Sequence, residues 1–494
     1  MTPSKNALRS LMFVGTASDV GKSIITAGFC RILKQDGYHP APFKGQNMSL
    51  NSYATPEGFE IGRAQAVQAE AAGIPCHTDM NPVLLKPVSD KSSQVVLNGK
   101  PIGTQSAWEY FMGNDRQELF AEVTKAYDRL AARYAPVVME GAGSISELNL
   151  KQRDITNMRM AMHANAATYL IGDIDRGGIF GSLYGTIALL TPPERQCIKG
   201  IIINKFRGDS RLFDDGRKMI EELCGVPVIG VLPYFRDIFI EEEDSVQLQL
   251  KKRASVNNKI NVAVVLLHRL SNFTDFDRLE KDPRVNLFYT VDPAEITKSE
   301  IIILPGSKNT IEDLIAIKNN GVAKAVIEAQ KKGKTVVGIC GGYQMMGELI
   351  EDPFEVESKA GKVAGLGLLP VHTVLGKEKT TLQRTFRYRQ YAAACTGYEI
   401  HMGQTAVTRT GHEPVITFSD GSTDGCYLNN TCWGTYVHGI LDNDAVVNDL
   451  LSTCTSSVAT SFNYRQFKEE QYDKLATLIR EHVDMKQVYQ NMKS

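Results

Sequence analysis

Cys340 lies between glycines in Gly338-Ile339-Cys340-Gly341-Gly342-Tyr343-Gln344, at the end of the apolar run Thr335 to Ile339. A thiol at the tip of a buried strand, followed by glycines, is carried on a sharp strand-to-helix turn, with backbone N–H groups aimed at whatever the sulfur attacks. A free thiol ionises at about pH 8.5, so attack near neutrality calls for an imidazole to take the proton. His438, in Gly434-Thr435-Tyr436-Val437-His438-Gly439, ends another short strand and can fill that role. The chemistry implied is acyl transfer through a thioester. Glutamine's side-chain amide would be attacked, its oxyanion held by N–H groups of Gly341 and of the Pro305-Gly306-Ser307 turn, and ammonia released. Gln344 joins Gly306 and Gly341 as a glutamine-binding candidate.

A second chemical locus lies near the other end of the chain. Gly15-Thr16-Ala17-Ser18-Asp19-Val20-Gly21-Lys22-Ser23 follows the strand Leu11 to Val14, and its first glycine stands one residue further from Gly21 than the common phosphate loop sets it, with Thr16 at the usual glycine position. A loop of small residues whose amides face phosphate, leading into a helix N-terminus, suits ATP. Lys22 would neutralise the β and γ phosphates, and Ser23 would give a hydroxyl to Mg2+. Glu140, ending the strand Pro136 to Met139, is the expected second Mg2+ ligand, since hard cations take carboxylate oxygen. Asp173 and Asp175 are weaker candidates for metal or substrate. Asn204 and Lys205 end a further strand and could reach the adenine or form a plain loop. The economical reading of one chain holding both loci is ATP-driven amide synthesis fed by ammonia from glutamine.

These residues need sheets to carry them. Up to about residue 235, apolar strands (Leu11 to Val14, Pro136 to Met139, Ala167 to Gly172, Gly200 to Ile203, Val226 to Val231) alternate with helical patterns such as Lys22 to Lys34 and Ala64 to Ala72. That alternation predicts a doubly wound parallel sheet with ligands at the strands' carboxyl ends. A second alternation (Val262 to Leu267, Ile301 to Leu304, Thr335 to Ile339, Val415 to Phe418) predicts a separate α/β sheet. The expected organisation is an ATP-binding synthetase domain over 1–240, a charged linker over 241–258, an amidotransferase domain over 259–445 and a helical tail over 446–494. With 494 residues, 22% of them charged, and a net charge of −1, the chain has room for two cores and no global basic field for nucleic acid or an anionic membrane. No signal pattern or membrane-length apolar run is visible, which predicts a cytoplasmic protein. Nine cysteines without a Cys-x-x-Cys pair are expected to be reduced. The oligomeric state is not readable.

The extended loop spacing resembles dethiobiotin synthetase and its relatives, whereas the signature lysine of partition and division-site ATPases would fall at Ala17. Cys340 and His438 resemble class I triad-type glutamine amidotransferases with one departure. Ile440 stands where those domains carry a glutamate two positions after the histidine, and Glu399 is a candidate substitute. Pro42-Phe43-Lys44-Gly45-Gln46-Asn47-Met48, Ile61-Gly62-Arg63-Ala64-Gln65-Ala66, Met80-Asn81-Pro82, Asp173-Ile174-Asp175-Arg176-Gly177-Gly178, Ser271-Asn272-Phe273-Thr274-Asp275-Phe276 and Leu304-Pro305-Gly306-Ser307-Lys308-Asn309-Thr310 extend the likeness over nearly the whole chain. Together they resemble the adenosylcobyric acid synthase family. The resemblance implies amidation of the b, d, e and g carboxylates of a corrinoid, with the related a,c-diamide synthases as the alternative. Gln46-Asn47 and Asn51-Ser52-Tyr53 are candidates to orient that polycarboxylate, or ordinary turns.

Overall fold

The computed structural model describes residues 8–89, 91–113, 116–241, 254–454 and 462–493. They form two compact units, one of 1–49, 61–241 and 465–494, the other of 50–60 and 242–464.

The nucleotide-loop unit is built on a six-stranded sheet in the order Val228–Pro233, Ile198–Phe206, Ala167–Asp173, Leu11–Gly15, Val137–Glu140, Ala41–Phe43. All its pairings are parallel. Leu11–Gly15 is buried throughout, as a strand covered by helices on both faces must be. The chain visits one side of this central strand first and the other later, so the crevice outside its carboxyl end is a topological switch point, where such sheets bind ligands. Helix Lys22–Gln35 starts there. Its far side is covered by helix Tyr464–His482, and a Cβ at Gly28 would run into the side chain of Ile479. Arg31 reaches Glu469 and Asp473, each at 2.7 Å. A four-stranded sheet (Gln46–Met48, Val83–Ser89, Ser92–Leu97, Lys100–Ser106) completes the unit.

The thiol unit has a six-stranded sheet in the order Val285–Thr290, Ile260–Val265, Ile301–Leu304, Thr335–Ile339, Cys432–Thr435, Cys426–Asn429. Only the last pairing is antiparallel. Beside it runs a long hairpin, Val371–Tyr388 with Ala394–Val407.

The observed division departs from the linear expectation in two places. Residues 465–493, expected as a helical tail packed against one domain, are part of the nucleotide unit, because Tyr472, Leu475, Ala476 and Ile479 share a core with Phe13 and Phe29. Residues 50–60 pack in the thiol unit. Ile416–Phe418 belongs to the hairpin's sheet, pairing antiparallel with Phe386 to Tyr388, rather than to the sheet that carries Cys340. Of the expected linker, 242–253 lie outside the described residues. Glu241 is no solvated linker residue: it is buried and bonded to Arg63 Nε at 2.7 Å. Burial raises its pKa, but the charges of Arg63 and Lys468 outweigh that and hold the carboxyl below its usual range. All nine cysteines are free. Among the described residues no helix is long and apolar enough to cross a membrane.

Candidate active sites

Cys340 follows strand Thr335–Ile339 and His438 follows Cys432–Thr435. The two strands are neighbours, with Ile339 opposite Thr435 and Cys340 N donating to Thr435 O at 2.8 Å. Parallel register therefore delivers sulfur and imidazole to the same sheet end, within electrostatic reach of one another. Cys340 is held at φ 51, ψ −109, a conformation a non-glycine residue adopts only when its surroundings impose it, at a cost of about 1–3 kcal/mol. What imposes it is the turn into helix Gly341–Met346, which crosses so close to Leu304 that a Cβ at Gly342 would collide with the Leu304 carbonyl oxygen. Since backbone cannot rotate away, Gly342→Ala should destabilise this unit by about 3 kcal/mol or more, read as a lowered urea midpoint.

The imidazole is oriented by a residue the sequence reading missed. Asp275, in the turn Phe273–Phe276, accepts from His438 Nδ1 at 2.7 Å through Oδ2 and from Gly439 N at 2.9 Å through Oδ1. Nε2 is thereby left for the sulfur. Glu399 does not substitute for the family glutamate. Its neighbour Tyr398 stacks on the His438 ring, centroids 5.3 Å apart, and alternation along the strand turns Glu399 to the opposite face, onto Arg384 Nε at 2.5 Å. Ile440 is simply core. Burial pushes the His438 pKa down, but the charges of Asp275 and Cys340 outweigh it and raise it from 6.5 to about 10. The ring is therefore positive at neutral pH, with a proton to give to a leaving amine.

That shift carries a stability signature. A group whose pKa rises on folding contributes stability in full below its unfolded value and loses it as pH climbs through the folded one. Asp275→Asn should therefore destabilise the protein most below about pH 6.5, and the difference from the parent should shrink toward pH 10, measured by urea unfolding across that range. Glutamine hydrolysis by the same variant should fall by roughly a hundredfold or more, since a correctly oriented ring is lost.

Gly306 lies against the pair, with a Cβ there meeting His438 Cε1 at 3.2 Å, and a Cβ on Gly341 would meet Ser307 N at 2.9 Å. The two turns thus face one another beside the sulfur. Gln344 is buried; its Nε2 donates to Tyr436 Oη at 3.2 Å, while its Oε1 has no partner among the described residues, an acceptor waiting for an N–H donor.

In the other unit, Lys22 Nζ rests on the carbonyls of Ala17 (2.9 Å) and Gly143 (3.0 Å), curled over the loop. Ser23 Oγ donates to Glu140 Oε1 at 2.7 Å, so hydroxyl and carboxylate converge. Two partners of Glu140 were not foreseen: Lys44 at 3.0 Å and Gln68 Nε2 at 2.7 Å. Thr16 N donates to Ile171 O at 3.0 Å, anchoring the loop's start near Gly15 to the neighbouring strand. Asn204 Nδ2 donates to Val20 O at 2.8 Å and fills the space where a Cβ of Gly21, at φ 101, would be. It therefore shapes the loop. Asp173 and Asp175 are engaged in ion pairs with Lys205 (2.7 Å) and Arg207 (2.5 Å). Gln46 accepts from Tyr110 Oη at 2.7 Å, and Asn47 donates to Gln65 at 3.1 Å, so both are held inside the unit. No group of three or more His, Cys, Asp or Glu that could hold a metal ion is found among the described residues.

Comparison with known proteins matches two domain families to this chain. Residues 261–446 match the CobB/CobQ-like glutamine amidotransferase domain, and 11–247 match the CobQ/CobB/MinD/ParA nucleotide binding domain. Cobyric acid synthase of Parabacteroides distasonis is 61% identical over 99% of this chain and 100% of its own. The chain belongs to the cobyric acid synthase family. The family's Bacteroides fragilis member is 61% identical over 98% of each chain, and that of Syntrophobacter fumaroxidans 50% over 97% of this chain and 98% of its own. The chain is thus an amidating ligase with a nucleotide-binding and a glutamine amidotransferase domain.

Proposed function

We propose that the chain converts adenosylcobyrinic acid a,c-diamide to adenosylcobyric acid, amidating the b, d, e and g carboxylates with ATP and glutamine. The observation that carries this reading is the Cys340–His438–Asp275 arrangement in a chain whose other unit bears the Lys22, Ser23 and Glu140 cluster.

Cys340 attacks the glutamine amide, and His438, held by Asp275, gives its proton to the departing ammonia. Backbone N–H groups of Gly306 and Gly341 take the oxyanion, and Gln344 Oε1 receives an N–H of the bound glutamine. A carboxylate is inert toward ammonia until it carries a leaving group, which phosphorylation supplies. For that step the Gly15, Thr16 and Gly21 backbone cradles the phosphates and Lys22 leaves its carbonyl rests to meet their charge. Asn204 keeps the loop in shape and offers its remaining amide edge to the nucleotide. Ser23 and Glu140 are the residues that would hold Mg2+, which when bound supplies charge neutralisation at phosphate oxygens. Lys44, 3.0 Å from Glu140, is the second ammonium beside that site and would be available to the transferring phosphoryl group. The partners are glutamine and a corrinoid polycarboxylate, with no nucleic acid or membrane, in the cytoplasm.

The test is to supply adenosylcobyrinic acid a,c-diamide, glutamine and ATP and to count amides by mass. Gain of b, d, e and g amides is expected. No product from this substrate, with amidation of the undecorated acid at a and c instead, would assign the chain to the a,c-diamide synthase chemistry.

A further inference from the structure

The hairpin formed by Ser52–Ala54 and Glu60–Gly62 comes from the part of the sequence that otherwise builds the nucleotide unit, between strand Gln46–Met48 and helix Arg63–Ala72, yet residues 50–60 pack in the thiol unit. Asn51 Oδ1 accepts from Phe273 N at 3.1 Å, and Ser52 N donates to Asn272 Oδ1 at 3.2 Å. Asn272 sits at φ 52, ψ 44, left-handed, and leads directly into the turn that carries Asp275. A non-glycine residue stays in that region only where its side chain and neighbours hold it. Here the holding groups are the two bonds from residues 51 and 52 and a third, Asn272 Nδ2 donating to Tyr398 Oη at 3.2 Å. Tyr53 meets the Tyr398 ring edge-on with centroids 4.5 Å apart, while Tyr398 itself stacks on His438. The hairpin is fastened by Gln383 Nε2 donating to Ala54 O at 2.9 Å and by the buried Glu60–Lys379 pair.

Both members of the Asp275–His438 pair are therefore braced from this segment, the carboxylate through Asn272 and the imidazole through Tyr398. We propose that Asn51 and Tyr53 are positioning residues of the glutaminase, setting the Asp275–His438 geometry from a stretch of chain that lies in the synthetase half of the sequence. The proposal rests on the thiol reading above. Neither residue touches the reacting atoms, so the loss on removing one falls on turnover and not on glutamine binding.

The full-length Asn51→Ala, Tyr53→Ala and Tyr53→Phe variants test it. Expected are a fall in glutaminase kcat of about tenfold or more for the two alanine variants, a glutamine KM within about twofold of the parent, and near-parent kcat for Tyr53→Phe, which keeps the ring. The alkaline limb of the pH–rate profile, set by His438, should move to lower pH because the carboxylate no longer sits squarely on the ring. Synthesis from ammonium chloride, measured beside it, should fall by less than the glutaminase kcat does. An unchanged glutaminase kcat, a parallel loss of ammonia-driven synthesis, or equal impairment of Tyr53→Phe and Tyr53→Ala would overturn the proposal. Failure of the parent protein itself to release glutamate from glutamine would instead overturn the thiol reading on which it stands.

Discussion

Cys340→Ala should abolish synthesis driven by glutamine, by roughly 10⁴-fold or more, while synthesis from free ammonia and ATP continues near the parent rate. The first half follows from the chemistry: Cys340 supplies the sulfur that forms the acyl intermediate, and losing the nucleophile of a unit that works in concert removes nearly all of its advantage. The second half follows from the fold. Cys340 is carried by a sheet in the unit of 50–60 and 242–464, whereas Lys22, Ser23 and Glu140 stand on a sheet of the other. Alanine also keeps the Cβ and takes less space than the thiol, so the elbow itself persists. Amide formation assayed with each nitrogen source in parallel reads both halves, and loss of the ammonia reaction would mean that the thiol serves more than nitrogen release.

Lys22→Ala is the complementary experiment, with loss of synthesis from either nitrogen source by roughly a hundredfold to a thousandfold. Its ammonium rests on the carbonyls of Ala17 and Gly143, placements that phosphate oxygens outcompete electrostatically. Removing it leaves the loop's backbone and the Ser23–Glu140 contact in place but takes away the mobile positive charge that accompanies the transferring group. Basal glutamine hydrolysis should survive. Measured together, the two variants separate nitrogen release from carboxylate activation, and equal loss of both activities in both proteins would contradict two separable centres.

The sequence made Cys340, His438 and the phosphate loop legible because each sits at the end of a short apolar run flanked by glycines, a pattern local enough to see. Asp275 was not, although Ser271-Asn272-Phe273-Thr274-Asp275-Phe276 stood out as a motif, because its partner is 163 residues away and nothing near it signals orientation of an imidazole. The same holds for Lys44 and Gln68, whose meeting point at Glu140 exists only after Ala41–Phe43 pairs with Val137–Glu140 and helix Arg63–Ala72 docks. Five strands of the first sheet were visible as buried aliphatic runs, while the sixth, Ala41–Phe43, is too short to show a period. The hairpin Val371–Tyr388 with Ala394–Val407 escaped because much of it is exposed and charged, so no apolar alternation marks it. Helical spacing near the C-terminus was plain, but spacing alone does not say against which core a helix will lie.

Closure of the nucleotide unit by helix Tyr464–His482 bears on how the polypeptide is made. A nascent chain leaves the ribosome N-terminus first, and domains fold as units when their residues are out. The nitrogen-releasing half has all of its residues before translation reaches Arg465, whereas the half that spends nucleotide still waits for Tyr472, Leu475 and Ile479 to cover helix Lys22–Gln35. A stop codon at Arg465 would therefore leave the nitrogen-releasing half whole and the other open, so the stretch of message from Arg465 onward completes the part that grips phosphate.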